Sequence, residues 1–186
     1  MSREIYAHFL PTLFEPKDRR GGIAVVIDVL RASTTLCHAL AAGANVVIPC
    51  EEVEEAREMA SNLQGEPIVL GGERHCQKIE GFDFGNSPFS YTPDSVAGKT
   101  LVFTSTNGTR ALKRASQAER VLLGTFNNLS AIVKEVGQSE LPVHFVCAGT
   151  QGKISAEDIL FAGAVIERLN CEFSSSPGHD DQPLLA

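Results

Sequence analysis

Ile23-Ala24-Val25-Val26-Ile27, running on into Asp28-Val29-Leu30-Arg31-Ala32-Ser33-Thr34-Thr35, is the stretch from which the architecture is read. Five consecutive apolar residues with no polar alternate describe a strand covered on both faces, as in a parallel sheet between helix layers. Residues 32–42 then carry a helical pattern closed by Gly43, a residue that caps helix C-termini because it accepts positive φ. Residues 45–48 read as the next strand, completing a βαβ unit. The same alternation continues in both directions, with an edge strand expected at 5–9 and further strands at 67–70, 100–104, 120–123 and 142–146. Helices are expected at 51–63, 108–116, 129–137 and 156–169. Alternating βα units predict an α/β fold: a three-layer α/β/α sandwich with a mostly parallel or mixed sheet. Residues 71–94 show no period and are too long for a plain connector, so they are expected to be a functional loop. Residues 1–169 are read as one domain and the polar stretch 170–186 as a disordered tail.

Composition narrows the function classes. A length of 186 residues suits one domain, and 43% hydrophobic content rules out a disordered chain. Sixteen Lys and Arg against 23 Asp and Glu give a net charge of −7, with no basic stripe. Nucleic acid is therefore not an expected partner, since counterion release needs clustered cations. No apolar run approaches the roughly 18 residues of a membrane span, and no leader pattern opens the chain; the expected location is cytoplasmic, with no membrane partner. Five cysteines contain no C-x-x-C pair, which reads as reduced thiols and not as a disulfide framework or a thiolate zinc site. The exposed edge strand expected near the N-terminus leaves homo-oligomer formation open.

The polar residues cluster where the expected strands end. Asp28 and Arg31 follow the second strand, Glu73 and Arg74 the fourth, residues 104–109 the fifth, and residues 147–153 the last. Carboxyl ends of parallel strands converge on one crevice, where ligands bind. Two clusters, Ser33-Thr34-Thr35 and Thr106-Asn107-Gly108-Thr109, also open helices, whose free N–H groups and dipole favour an anion. Plainer roles stand beside these. The Ser and Thr residues could only cap their helix, Ser155 with Asp158 fits a capping box, Glu73 and Arg74 could be a surface ion pair, and Cys147 could be a core residue. No G-x-G-x-x-G follows a strand, Gly149 to Lys153 is too short for a Walker A loop, and no G-x-S-x-G elbow exists.

The segment from Val26 to Thr35 resembles the signature opening of the 2-phosphosulfolactate phosphatase family. Gly72-Glu73-Arg74, Gly81-Phe82-Asp83-Phe84-Gly85-Asn86-Ser87-Pro88, Thr106-Asn107-Gly108-Thr109-Arg110, Cys147-Ala148-Gly149-Thr150 and Glu157-Asp158 with Ala162-Gly163 are similar to its later blocks, in the same order. Family members run some tens of residues further, and Ser105 stands where many carry Thr. The resemblance implies a Mg²⁺-dependent hydrolase that removes phosphate from 2-phospho-3-sulfolactate on the route to coenzyme M. Its ligand is then a small anionic phosphorylated and sulfonated molecule. On that reading Asp28 and Arg31 are the catalytic candidates. Ser33, Thr34, Thr35, Glu73, Arg74, Asn86, Ser87, Thr106, Asn107, Gly108, Thr109, Cys147 and Gly149 are candidates for substrate binding. Mg²⁺ favours a few carboxylates plus water and phosphate oxygens, which selects Asp28, Glu157 and Asp158 as the metal-ligand candidates. Arg31, Arg74, Arg110 and Lys153 are the cations available to oxyanions. Asp28 attacking phosphorus directly and a metal-activated water remain equal alternatives. A phosphatase for another phosphorylated small acid, and a non-catalytic anion-binding module, are the competing functions.

Overall fold

A computed structural model describes residues 3–13, 21–63, 65–173, 175–177 and 185–186. The apolar run behaves as its composition requires: β2 (Ile23–Ile27) is buried at all five positions. It lies in a parallel five-stranded sheet of order β7-β2-β8-β1-β9, with β1 at Arg3–His8, β7 at Arg120–Gly124, β8 at Val143–Cys147 and β9 at Ser175–Pro177. Period-two alternation splits the faces of β2. Ile23, Val25 and Ile27 pack with α5 (Leu129–Gly137) and α6 (Ala156–Glu172), whereas Ala24 and Val26 pack with Ala111 and Ala115 of α4 (Gly108–Ala115). Helices thus cover both faces, the α/β/α layering expected.

A second sheet, of order β3-β6-β4-β5, is built from Val46–Cys50, Thr100–Thr104, Ile68–Arg74 and the antiparallel Gln77–Lys78. On β6, Leu101 and Phe103 face α1 (Ala32–Ala41) while Val102 faces α2 (Val53–Asn62). The chain leaves the first sheet after β2, builds the second, and returns through α4. Two sheets therefore replace the single sheet that strand periodicity suggested, because periodicity carries no information on which strands pair.

Two further expectations change. Strand β1 is not an edge: β8 flanks one side and β9 the other. Residues 175–177 fall in the stretch expected as a tail yet form β9; residues 178–184 lie outside the described residues. The aperiodic stretch 71–94 contains the end of β4, the β4–β5 hairpin and the start of the short helix α3 (Pro93–Val96), and is packed through fully buried Tyr91, whose hydroxyl donates to the Gly85 carbonyl at 2.6 Å. Among the described residues, no helix is long and apolar enough to cross a membrane.

Candidate active site

Asp28 leaves β2 with its backbone tied down. Its N–H donates to Ser33 Oγ at 3.0 Å, its carbonyl accepts the Ser33 N–H at 2.9 Å, and its Oδ1 accepts the Ala32 N–H at 3.2 Å. These bonds hold the carboxyl rigid at the mouth of α1. Its Oδ2 accepts no hydrogen bond among the described residues. Gly108 is what allows this oxygen to approach α4: a Cβ there would lie 2.7 Å from Asp28 Oδ2 and 2.5 Å from Ala32 Cβ.

Around Asp28 the loops at the carboxyl ends of both sheets enclose a hollow of about 90 Å³, lined by Asp28, Leu30, Arg31, Glu73, His75, Cys76, Asn86, Thr106, Asn107, Thr150 and Gln151. Side-chain acceptors on backbone amides fix these loops. Asp158 takes the Val29 N–H on Oδ1 at 2.9 Å and the Gly149 N–H on Oδ2 at 3.1 Å, joining the loops after β2 and β8. Glu73 takes the Cys76 N–H on Oε2 and the Thr106 N–H on Oε1, both at 2.7 Å, joining the β4–β5 hairpin to the loop after β6. Asn107 Oδ1 accepts the Gln151 N–H at 3.1 Å and links one sheet's loops to the other's.

Six sequence candidates line the hollow: Asp28, Arg31, Glu73, Asn86, Thr106 and Asn107. The others do not, each for a visible reason. Ser33 Oγ is engaged with Asp28 and Val26, Thr34 Oγ1 donates to the Val29 carbonyl, and Thr35 is fully buried against the Asn86 carbonyl. Arg74 turns away to the Glu51 carbonyl and to Thr104 Oγ1, with Glu52 4.0 Å off, so it forms no ion pair with Glu73. Thr109 is buried and bonds back to Ser105. Gly108 acts through the room it leaves and Gly149 through its amide. Ser87 precedes the 3₁₀ turn Pro88–Ser90 outside the lining. Cys147 is a core residue, its thiol pushed far up by burial first and Asp158 second. The capping box is not formed either: Ser155 Oγ pairs with Thr150 Oγ1 at 2.8 Å while Asp158 serves the distant amides. Leu30, His75, Cys76, Thr150 and Gln151 line the hollow without being sequence candidates for the site, although Thr150 and Gln151 fall in the polar cluster at 147–153.

The floor is acidic. Burial raises Asp28 to about 7, the charge of Asp158 adds to the rise, the Ala32 amide opposes it, and Glu73 and Glu157 add further. Burial likewise raises Asp158 to about 6 against the pull of its amide partners. Arg31 is exposed on the rim and forms no ion pair among the described residues. Two wall atoms, Asn86 Oδ1 and Thr106 Oγ1, are buried without a hydrogen-bond partner among the described residues, a state that costs about 1–3 kcal/mol per group unless a ligand or water meets it. The cage of Asp28, Glu157 and Asp158 is not assembled: Asp158 spends both oxygens on amides, and the described residues contain no cluster of three or more potential metal ligands. Mg²⁺ needs only one or two carboxylates when phosphate and water complete its shell. The bare Asp28 Oδ2, in a field of three further carboxylates, fits that smaller requirement.

Across known proteins, residues 9–184 match the family described as 2-phosphosulpholactate phosphatase. The chain belongs to this family. It is 50% identical over 153 residues to the probable 2-phosphosulfolactate phosphatase of Caldanaerobacter subterraneus subsp. tengcongensis, covering 82% of this chain and 64% of that protein. The Symbiobacterium thermophilum protein of the same name is 46% identical, with 79% and 63% covered. That of a Picosynechococcus species is 45% identical over 168 residues, with 89% and 69% covered. The chain thus spans under two thirds of the length of the first two. Membership in the 2-phosphosulpholactate phosphatase family bears out the resemblance drawn from the ordered motifs, and five of the six blocks, those containing Asp28, Glu73, Asn86, Asn107 and Thr150, supply residues to the hollow.

Proposed function

We propose that this chain hydrolyses the phosphomonoester of a small organic acid, with 2-phospho-3-sulfolactate as substrate, as the names of its relatives indicate. Water cleaves the ester, and sulfolactate and inorganic phosphate leave. The reaction would take place in the cytoplasm and stand on the route to coenzyme M. The observation carrying this reading is one hollow at the carboxyl ends of both sheets that gathers Asp28, Arg31 and Thr106, whose Oδ2, guanidinium and Oγ1 have no hydrogen-bond or ion-pair partner among the described residues.

Each residue has a part in it. Arg31 would grip two phosphoryl oxygens with parallel N–H donors, which a planar guanidinium does and an ammonium does not. Thr106 Oγ1 would donate to a third oxygen and so satisfy its own buried group. Asp28, held by the Ala32 amide, would be the carboxylate facing phosphorus, whether it attacks or orients water. Mg²⁺ would be held by Asp28 Oδ2, with phosphate oxygens and water completing its shell, and when bound would supply neutralisation of charge developing on the phosphoryl oxygens. Positioning and electrostatics supply most of the acceleration in phosphoryl transfer, so the rigid loop ring is itself part of the function.

The test is phosphate release from a panel of phosphomonoesters in the presence of Mg²⁺. The expected result is kcat/KM for 2-phospho-3-sulfolactate at least tenfold above the other esters, with activity lost on chelation. Equal or greater turnover of another phosphorylated acid would reassign the substrate. No release from any ester would leave anion binding as the function.

A further inference from the structure

The acidic hollow is too small for the ligand proposed. At about 90 Å³ it accommodates a phosphoryl group, whereas sites that enclose whole small molecules occupy roughly 300–1,000 Å³. A second hollow of about 560 Å³ lies directly beyond Asn107, which is a wall of both. The partition is one residue thick at the Gln151-Gly152 turn as well: Gln151 lines the acidic side and Gly152 the other, and the turn is pinned by the Gln151 N–H on Asn107 Oδ1.

The two hollows differ in sign. The second is lined by Arg110, Lys113 and Arg114, against the single acid Glu51. Positions i, i+3 and i+4 share one face of a helix, so α4 presents these cations together. Among the described residues Arg110 is held by Glu52 alone, at 3.9 Å, with both side chains more than 60% exposed; such pairs contribute under about 1 kcal/mol and yield readily to a better partner. Lys113 is bonded to Glu55 at 2.6 Å and would keep its place while lending charge.

We infer that the basic hollow is a second anion subsite of the same site, which receives the carboxylate or sulfonate end of a ligand whose phosphoryl group lies beside Asp28. Arg110 is its specificity-determining residue, with Lys113 in support. The sign separation limits what a chain of net charge −7 must overcome to take a polyanion: only the phosphoryl end, which Arg31 and a cation would meet, enters the acidic hollow, and the other anionic groups pass over Asn107 to the cations of α4. The ligand class is a phosphomonoester with a second anionic group whose charged oxygens lie two or three bonds from the ester carbon. This inference rests on the phosphatase reading.

Two measurements separate the claims. Phosphate release is compared for 2-phosphoglycolate, which carries a carboxylate, and ethyl phosphate, which does not, in the wild-type chain and in an Arg110→Ala, Lys113→Gln double variant. Sulfolactate binding to both proteins is followed by calorimetry. Expected are a wild-type preference for 2-phosphoglycolate that falls at least tenfold in the variant, chiefly through KM, and sulfolactate binding at least tenfold weaker. An unchanged preference together with unchanged sulfolactate binding would overturn the subsite and leave the phosphatase reading intact. Absence of phosphate release from either ester, with sulfolactate binding still dependent on Arg110 and Lys113, would overturn the phosphatase reading and support the subsite.

Discussion

Asp28 is the carboxyl group on which the proposed chemistry rests: it lines the hollow, one oxygen is fixed by the Ala32 amide, and the other accepts no hydrogen bond among the described residues. Asp28→Asn keeps the size and the bond to Ala32 while it removes the charge. Phosphate release should fall at least a hundredfold with an unchanged circular dichroism spectrum; a rate within a few-fold of wild type would take Asp28 out of the chemistry. Asp158 and Glu73 act differently, since each carboxylate serves two amides. A Gln or Asn in their place offers one acceptor and sets an NH₂ against the second amide, leaving it unsatisfied. Asp158→Asn and Glu73→Gln should each destabilise by about 1–3 kcal/mol in urea unfolding and also lower kcat, because the loops they join carry the site. A stability loss without a kcat loss would make them structural only. Asp28 was legible in sequence because it ends a buried strand. The role of Asp158 was not: its partner Val29 is 129 residues away, and local spacing suggested a capping box instead.

Among the elements, the β4–β5 hairpin is the one that works against its sequence. Arg74 pairs with Gln77, so His75 and Cys76 form the two-residue turn, with φ of 52° and 63°. Turns of this hand favour Asn-Gly, because positive φ crowds a Cβ. Cys76→Gly should therefore raise stability by about 0.5–1 kcal/mol, read as a higher urea midpoint at constant m-value. An unchanged or lower midpoint would show that the Cys76 side chain contributes contacts that outweigh the turn strain. Gly72 marks the opposite situation: φ is +139° and a Cβ would lie 1.9 Å from the Thr104 carbonyl oxygen, so no larger residue fits between β4 and β6. Helix positions followed from apolar period and Gly or Pro punctuation, and α1, α4, α5 and α6 all begin where expected. The hairpin escaped detection because His-Cys carries no turn signature; its geometry is imposed by the Glu73 bond to the Cys76 amide.

For the whole molecule, the division into two sheets was not legible, yet the convergence of strand ends was, because chain direction at a carboxyl end is set by the parallel arrangement within each sheet. That convergence gathers four carboxylates, and the protein bears the cost as a pH dependence. Asp28 has a folded pKa of about 7, raised above the ordinary 3.8 mainly by burial and then by Asp158. A carboxyl whose pKa is raised on folding stabilises the fold while protonated, fully below about pH 4, and that contribution is lost as pH rises to about 7. Comparison with Asp28→Asn isolates this group, because exposed pairs such as Glu55 with Lys113 titrate alike in both proteins. In chelator, the midpoint of the Asn variant should climb relative to wild type between about pH 4 and 7 and stay level above about 8. With Mg²⁺ added at pH 8, wild type should recover much of that gap and the Asn variant little, since the cation relieves a repulsion that the variant no longer has. A gap that is flat with pH would mean that water, or a reoriented neighbour, already neutralises the floor, and the electrostatic case for a cation at Asp28 would fall with it.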